Sequence, residues 1–209
     1  MNTSPFAYAE VINVLIEGLR MALFSKEQIT QWADGFILHD AQPDIFFIDL
    51  ALSRTREEAL TILSETARTM AAETSPRPLL CAIYERLVTN DKTALESAAS
   101  LGAFIWNNEL LTVSERNFIQ YLHYDADMLD LLPPSAREKL EQDIGAFLAL
   151  YKEYTIENYA GWDSLDQEIV LKLDTTPLFH NDTSLRNPQV MPAPKPILPV
   201  RKPRWQFWK

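Results

Sequence analysis

Glycine, cysteine and long apolar runs are scarce in this sequence, and each shortage removes a class of function. The five glycines (Gly18, Gly35, Gly102, Gly145 and Gly161) stand singly, so no Gly-rich loop can cradle a phosphate through successive backbone N–H groups. The single cysteine, Cys81, excludes an intramolecular disulfide and points to a reducing compartment. Flanked by Leu79, Leu80 and Ile83, with no histidine nearby, it reads as a small buried hydrophobe and not as a nucleophile. No serine stands in a G-x-S-x-G setting or in an S-x-x-K signature with its companions. No apolar stretch approaches the roughly 18 residues that span a bilayer, and MNTSPFAYAE lacks the basic start and small-residue cleavage site of a signal peptide. A cytoplasmic protein is the expectation. With no catalytic constellation and no cofactor motif, the chain is expected to bind and not to catalyse, and to carry no cofactor.

What is present is helical periodicity almost throughout. Of 209 residues 47% are hydrophobic, enough for one sizeable core. Val11, Leu15, Leu19 and Leu23 recur at i+4 within a helix predicted over Phe6 to Phe24. Ser25 and Gln28 form an S-x-x-Q capping box for a second helix, whose Ile29, Trp32, Ala33, Phe36 and Ile37 make a full apolar stripe. DIFFIDLALS has the composition of a buried strand, but Asp44 can cap it as a helix and no second strand candidate exists to pair with it. Thr55 and Glu58 open the next helix, predicted to run to about Ala72. After Ser75-Pro76-Arg77-Pro78 a helix carries Leu79, Leu80, Ile83 and Leu87 and stops at Thr89-Asn90-Asp91. Thr93 and Glu96 box another, which carries Leu101, Phe104 and Ile105. Two more are predicted from Ser114 to about Leu132 and from Ser135, boxed with Glu138, through Tyr151, separated by Pro133-Pro134. A weaker one covers about Ser164 to Leu173. The fold class is therefore all-α: an irregular helical bundle, or a short solenoid-like stack of antiparallel pairs, with about 8–9 helices. No signature recurs at a period of about 34–45 residues, so a true helical-repeat protein is unsupported.

From about Thr175 the periodicity stops, dividing an acidic helical domain, 1–174, from a Pro-rich tail, 175–209. Pro188, Pro192, Pro194, Pro196, Pro199 and Pro203 exclude helix and favour extended polyproline II backbone. Charge divides at nearly the same place. The net charge is −10, but residues 181–209 hold six basic residues against one acid, leaving 13 basic and 28 acidic residues, a net −15, for 1–180. Such a body repels nucleic acid and attracts a basic protein partner. Arg204, Trp205, Phe207 and Trp208, beyond the prolines, have the composition of an anchor for a membrane surface or a partner protein. Packing on the acidic body is the other reading of that cluster. Trp32, Trp106 and Trp162, by contrast, are expected to pack in the core or at helix ends.

Two acidic clusters are the candidate partner-binding sites of the body. Asp40, Asp44 and Asp49 lie, with His39, around the turn between the second and third helices. Asp49 falls in the apolar run, so it requires either a partner such as Arg54 or an exposed helix face. Asp125, Asp127 and Asp130 follow His123. That cluster has one imidazole and three carboxylates within eight residues, and i+4 spacing puts His123 and Asp127 on one face. A metal-dependent enzyme is the reading this cluster would support, but a second element supplying ligands is not identifiable; a solvated acidic face is the simpler one.

The stretch EGLRMALFSKEQITQWADGFI through PDIFFIDLALS, about residues 16–53, resembles small bacterial helical proteins that accompany secreted toxins as immunity partners. It shares a Ser-Lys-Glu-Gln helix start, a Trp-Ala-Asp centre and a Pro-Asp turn into a buried helix. The resemblance implies an immunity or antitoxin function, in which a cationic cognate effector, a secreted toxin domain, is neutralised by occlusion. A helical adaptor whose tail docks elsewhere is the alternative.

Overall fold

In the computed structural model, residues 4–104, 110–131 and 133–175 are described. They form nine α-helices: α1 (Ala9–Arg20), α2 (Lys26–His39), α3 (Ile45–Leu52), α4 (Arg56–Ala67), α5 (Arg77–Val88), α6 (Ala94–Leu101), α7 (Val113–Asp127), α8 (Pro134–Ala149) and α9 (Trp162–Thr175). Short 3-10 helices occur at Pro5–Tyr8, Gly102–Phe104, Leu129–Leu131 and Tyr159–Gly161. No strand occurs among the described residues. The all-α expectation holds, and the strand-like DIFFIDLALS is the short helix α3, capped by the Asp44 carboxylate at the Phe46 N–H, 2.9 Å away.

Capping chemistry fixes most of the helix starts. Ser25 Oγ accepts from the Gln28 N–H at 3.2 Å, while Gln28 Oε1 accepts from the Ser25 N–H at 2.8 Å. Thr93 and Glu96 form the same reciprocal box. Thr55 caps α4, but there the Glu58 carboxylate reaches one residue further and accepts from the Arg54 N–H at 2.7 Å.

Several predicted boundaries are corrected. The first helix ends at Arg20, not Phe24, because the chain reverses there. Ala22 has φ 54°, the Leu23 N–H bonds the Gly18 carbonyl at 2.7 Å, and the Ala22 N–H bonds that of Leu19 at 2.9 Å. This is a Schellman termination with alanine where glycine is usual. The guanidinium of Arg56 then donates to the Leu19 and Arg20 carbonyls, completing the cap from α4. α4 stops at Ala67, not Ala72, and Asn13 Nδ2 instead donates to the Ala72 carbonyl at 2.8 Å. α7 is capped by Thr112, boxed with Glu115, so Ser114 lies inside its first turn. α8 begins at Pro134 without a side-chain cap. The proline has no N–H to satisfy and a preset φ, so the Ser135 and Glu138 box does not form. The end of α5 is as predicted, with Asn90 at φ 59° in a second Schellman turn. Ile105, Trp106 and Leu132 lie outside the described residues.

The helices pack as an irregular bundle made of two four-helix groups. Within α1–α4 and again within α5–α8, the first helix packs on the fourth, the second on the third and the third on the fourth; α1 also packs on α5. One continuous core results, from Val11, Leu15 and Leu19 of α1 through Leu80 and Ile83 of α5 to Ile144, Phe147 and Leu148 of α8, all fully buried. Among the described residues no helix is long and apolar enough to cross a membrane.

Candidate functional site

Three elements that meet around the aromatic residues of α2 enclose a groove of about 960 Å³. On α2, Gln28, Trp32, Gly35, Phe36 and His39 fall at i+3 and i+4 steps, so one helix face forms the first wall. Pro78, Cys81, Ala82 and Glu85 of α5 form the second by the same spacing, and Tyr154–Ala160, between α8 and α9, form the third. Gly35 leaves this wall open, since a Cβ there would meet nothing within 4 Å.

The floor is aromatic. Tyr8 packs edge-on against Phe36 and Trp32, with ring centroids 4.7 and 6.1 Å apart, and tilts against Tyr159 at 5.1 Å. Phe36 stacks on the buried Phe47 of α3 at 4.1 Å, which ties the floor to the core. The rings are half-buried and line the groove. The rim is acidic: Asp40, Glu85 and Glu157 line it, and no lysine or arginine does among the described residues. Partial burial, then repulsion from Glu157, raises the Glu85 carboxyl above the usual range. Burial, reinforced by Glu85, Glu157 and Glu153, pushes the Cys81 thiol up to about 12, which leaves it protonated and unreactive.

A buried ionic network holds the third wall. Arg77, 5% exposed, sits at the first position of α5 and faces Glu115 at the start of α7, which is fully buried. Arg77 Nε and a terminal nitrogen donate to the two Glu115 oxygens, both at 3.0 Å, and the other terminal nitrogen meets Asp166 of α9 at 2.8 Å. Glu115 also accepts from Tyr151 Oη at 3.1 Å and from the Thr112 N–H at 2.6 Å; Asp166 accepts from Tyr154 Oη at 2.9 Å. Burial disfavours the charged form of Arg77, but the bonds to Glu115 and the attraction of Glu115 and Asp166 outweigh it and hold the guanidinium above its ordinary value. Burial followed by the adjacent carboxylate raises both phenols, so Tyr151 and Tyr154 remain donors. Two further bonds fix the same segment: Trp162 Nε1 to the Thr155 carbonyl at 3.0 Å and Tyr159 Oη to that of Ala7 at 3.1 Å.

The aspartates singled out in the sequence are dispersed. Asp40 lines the groove. Asp44 is committed to the cap of α3. Asp49 stands exposed beside Ile45 and Leu52 on the outer face of α3, the second of the two arrangements its position allowed. On α7, Asp125 is buried at 8% exposure, whereas Asp127 is exposed and lies 3.7 Å from His123 Nε2. Asp130 is in the 3-10 turn Leu129–Leu131, with its side chain outside the described atoms. Among the described residues no three His, Cys, Asp or Glu side chains converge as metal ligands. Arg204, Trp205, Phe207 and Trp208 lie outside the described residues.

Glu85, Glu157, Tyr154 and Tyr159 were not legible as a site because they come from two segments far apart in the chain. Arg77 was read only as part of a proline break. The signal available was Thr112-x-x-Glu115, a capping box whose glutamate has a second use. Comparison with known proteins finds no matching family model, no matching curated protein and no matching solved structure.

Proposed function

We propose that this protein is a non-catalytic binding protein that receives a basic segment of a protein partner in the groove between α2, α5 and residues 154–160. One observation carries the proposal: a groove of about 960 Å³ with an aromatic floor has three carboxylates and no lysine or arginine on its described rim, in a body whose residues 1–180 carry a net −15. Long-range attraction speeds the encounter with a cationic partner, and the rings supply the apolar contact that charge alone does not. Among proteins with this task, the immunity class is the one residues 16–53 resemble. The finer proposal is therefore a bacterial immunity or antitoxin-type protein that occludes a cationic effector, acting in the cytoplasm.

Two measurements test the two levels. For the general reading, a fluorescent basic peptide such as nona-lysine is titrated by anisotropy against the wild type and against a Glu85→Gln, Glu157→Gln double variant. Binding that weakens with salt and falls about tenfold or more in the variant supports the groove; equal binding to both proteins refutes it. For the finer one, co-expression with the product of a neighbouring toxin gene should yield a 1:1 complex and protect the cell. A complex that leaves the toxin active contradicts neutralisation. The adaptor alternative, in which the basic aromatic tail docks a membrane or partner, predicts that deleting 188–209 abolishes partner binding or localisation while peptide binding to the groove persists.

A further inference from the structure

We infer that the groove selects arginine over lysine, taking a guanidinium between its aromatic floor and the Glu85 and Glu157 carboxylates. The inference rests on the proposed function above and specifies the side chain recognised. A lysine ammonium is a compact, strongly hydrated point charge that any acidic surface attracts, whereas a guanidinium is a flat, weakly hydrated fork. It gains most where a carboxylate pair stands beside an aromatic face, because it can donate in its plane and stack through its faces at the same time.

The groove has both halves of that arrangement. Tyr8, Trp32 and Tyr159 line it with half-buried rings; Tyr8 meets Trp32 at 81° and Tyr159 at 51°, so neither pair is stacked face to face. Glu85 on α5 and Glu157 on the third wall line the same groove as the rings, and Glu157 raises Glu85 after the larger effect of its partial burial. Neither forms an ion pair with a described residue, although Glu153 beside them is 3.7 Å from Lys152 Nζ. One guanidinium bridging the two rim carboxylates would offset one of their two negative charges and relieve their mutual repulsion. Their elements are rigid on either side: α5 is packed into the core, and the third wall is tied down by Tyr154 to Asp166 and by Trp162 to Thr155.

The test compares nona-arginine with nona-lysine, which carry the same charge, by anisotropy at equal ionic strength. The inference predicts that nona-arginine binds at least about fivefold more tightly, a preference of the size expected for stacking plus bidentate donation. In Glu85→Gln, Glu157→Gln the preference falls to about onefold; these side chains are on the surface, so the fold is retained. Trp32→Leu, verified as folded by its circular dichroism, lowers nona-arginine binding while changing nona-lysine binding by less than about twofold. Equal affinity for the two peptides in the wild type overturns the arginine inference but leaves the basic-segment function standing. A preference that survives in the Glu85, Glu157 variant overturns it also. Failure of both peptides to bind removes the function itself.

Discussion

Replacing Arg77 by alanine should be among the most damaging single changes to this protein. The substitution leaves Glu115, fully buried, with Tyr151 Oη and the Thr112 N–H but without its cation, and it releases Asp166 at the same time. Removing one partner of a buried pair typically costs about 3–5 kcal/mol, because the surviving charge stays out of water uncompensated. Asp166 is 43% exposed and adds little, since water screens it. For a domain of this size the loss corresponds to a fall of about 6–20 °C in melting temperature. Urea denaturation followed by circular dichroism measures it. The double variant Arg77→Met, Glu115→Gln should recover at least half of the loss, since the glutamine carbonyl still accepts from Thr112 and no buried charge is stranded. Hydrogen exchange in Arg77→Ala should also rise across residues 154–160, the third wall of the groove. A cost below about 1 kcal/mol, or a double variant as unstable as the sum of its parts, refutes the role given to the network.

Four further outcomes follow from the geometry. Ala22→Gly should stabilise the fold by about 1 kcal/mol, because φ 54° is strained for alanine and free for glycine; the urea midpoint should rise with the slope unchanged. Gly18→Ala should destabilise by about 1–3 kcal/mol, since its Cβ would stand 2.0 Å from the Phe24 ring, and Phe24→Ala should remove most of that penalty. Cys81, 2% exposed with a thiol pushed up to about 12, should resist alkylation at pH 8 in the native protein and react at once in denaturant. Glu10 is raised by burial and then by Asp166 and Asp163, so in the fold it binds its proton more tightly than in the unfolded chain. Its stabilising contribution is present at low pH and is lost as pH rises through the raised value. Glu10→Gln should therefore be more stable than wild type at pH 7, by less than about 1 kcal/mol, and no more stable at pH 4.

The fold was readable where local chemistry decides it. Capping residues and i+4 spacing located the helices, and Asp44 with the absence of a pairing strand resolved DIFFIDLALS correctly. Boundaries failed where a distant residue or the backbone itself intervened. α1 stops at a Schellman turn built on alanine, for which no glycine gave warning, and Arg56 reaches its last carbonyls from 36 residues away. α8 starts on a proline that needs no cap. The candidate site was less legible for the same reason: a groove between α2, α5 and a post-α8 segment is a product of tertiary packing, and lining residues that the sequence did single out, such as Gln28, Trp32, Phe36, His39, Asp40 and Cys81, drew notice for reasons that did not bring them together. Net charge led to the expectation of a cationic partner; it did not say which of the many carboxylates face a common space.

A cationic segment is proposed to bind in this groove and not on the acidic face of α7, and chemical-shift mapping with nona-arginine decides between the two surfaces. The Trp32 indole N–H and the amides of residues 154–160, Gly35 and Glu85 should shift together and saturate, and the effect should weaken as salt rises. Shifts confined to Asp125, Asp127 and their neighbours on α7, with the Trp32 signal unmoved, would contradict the claim.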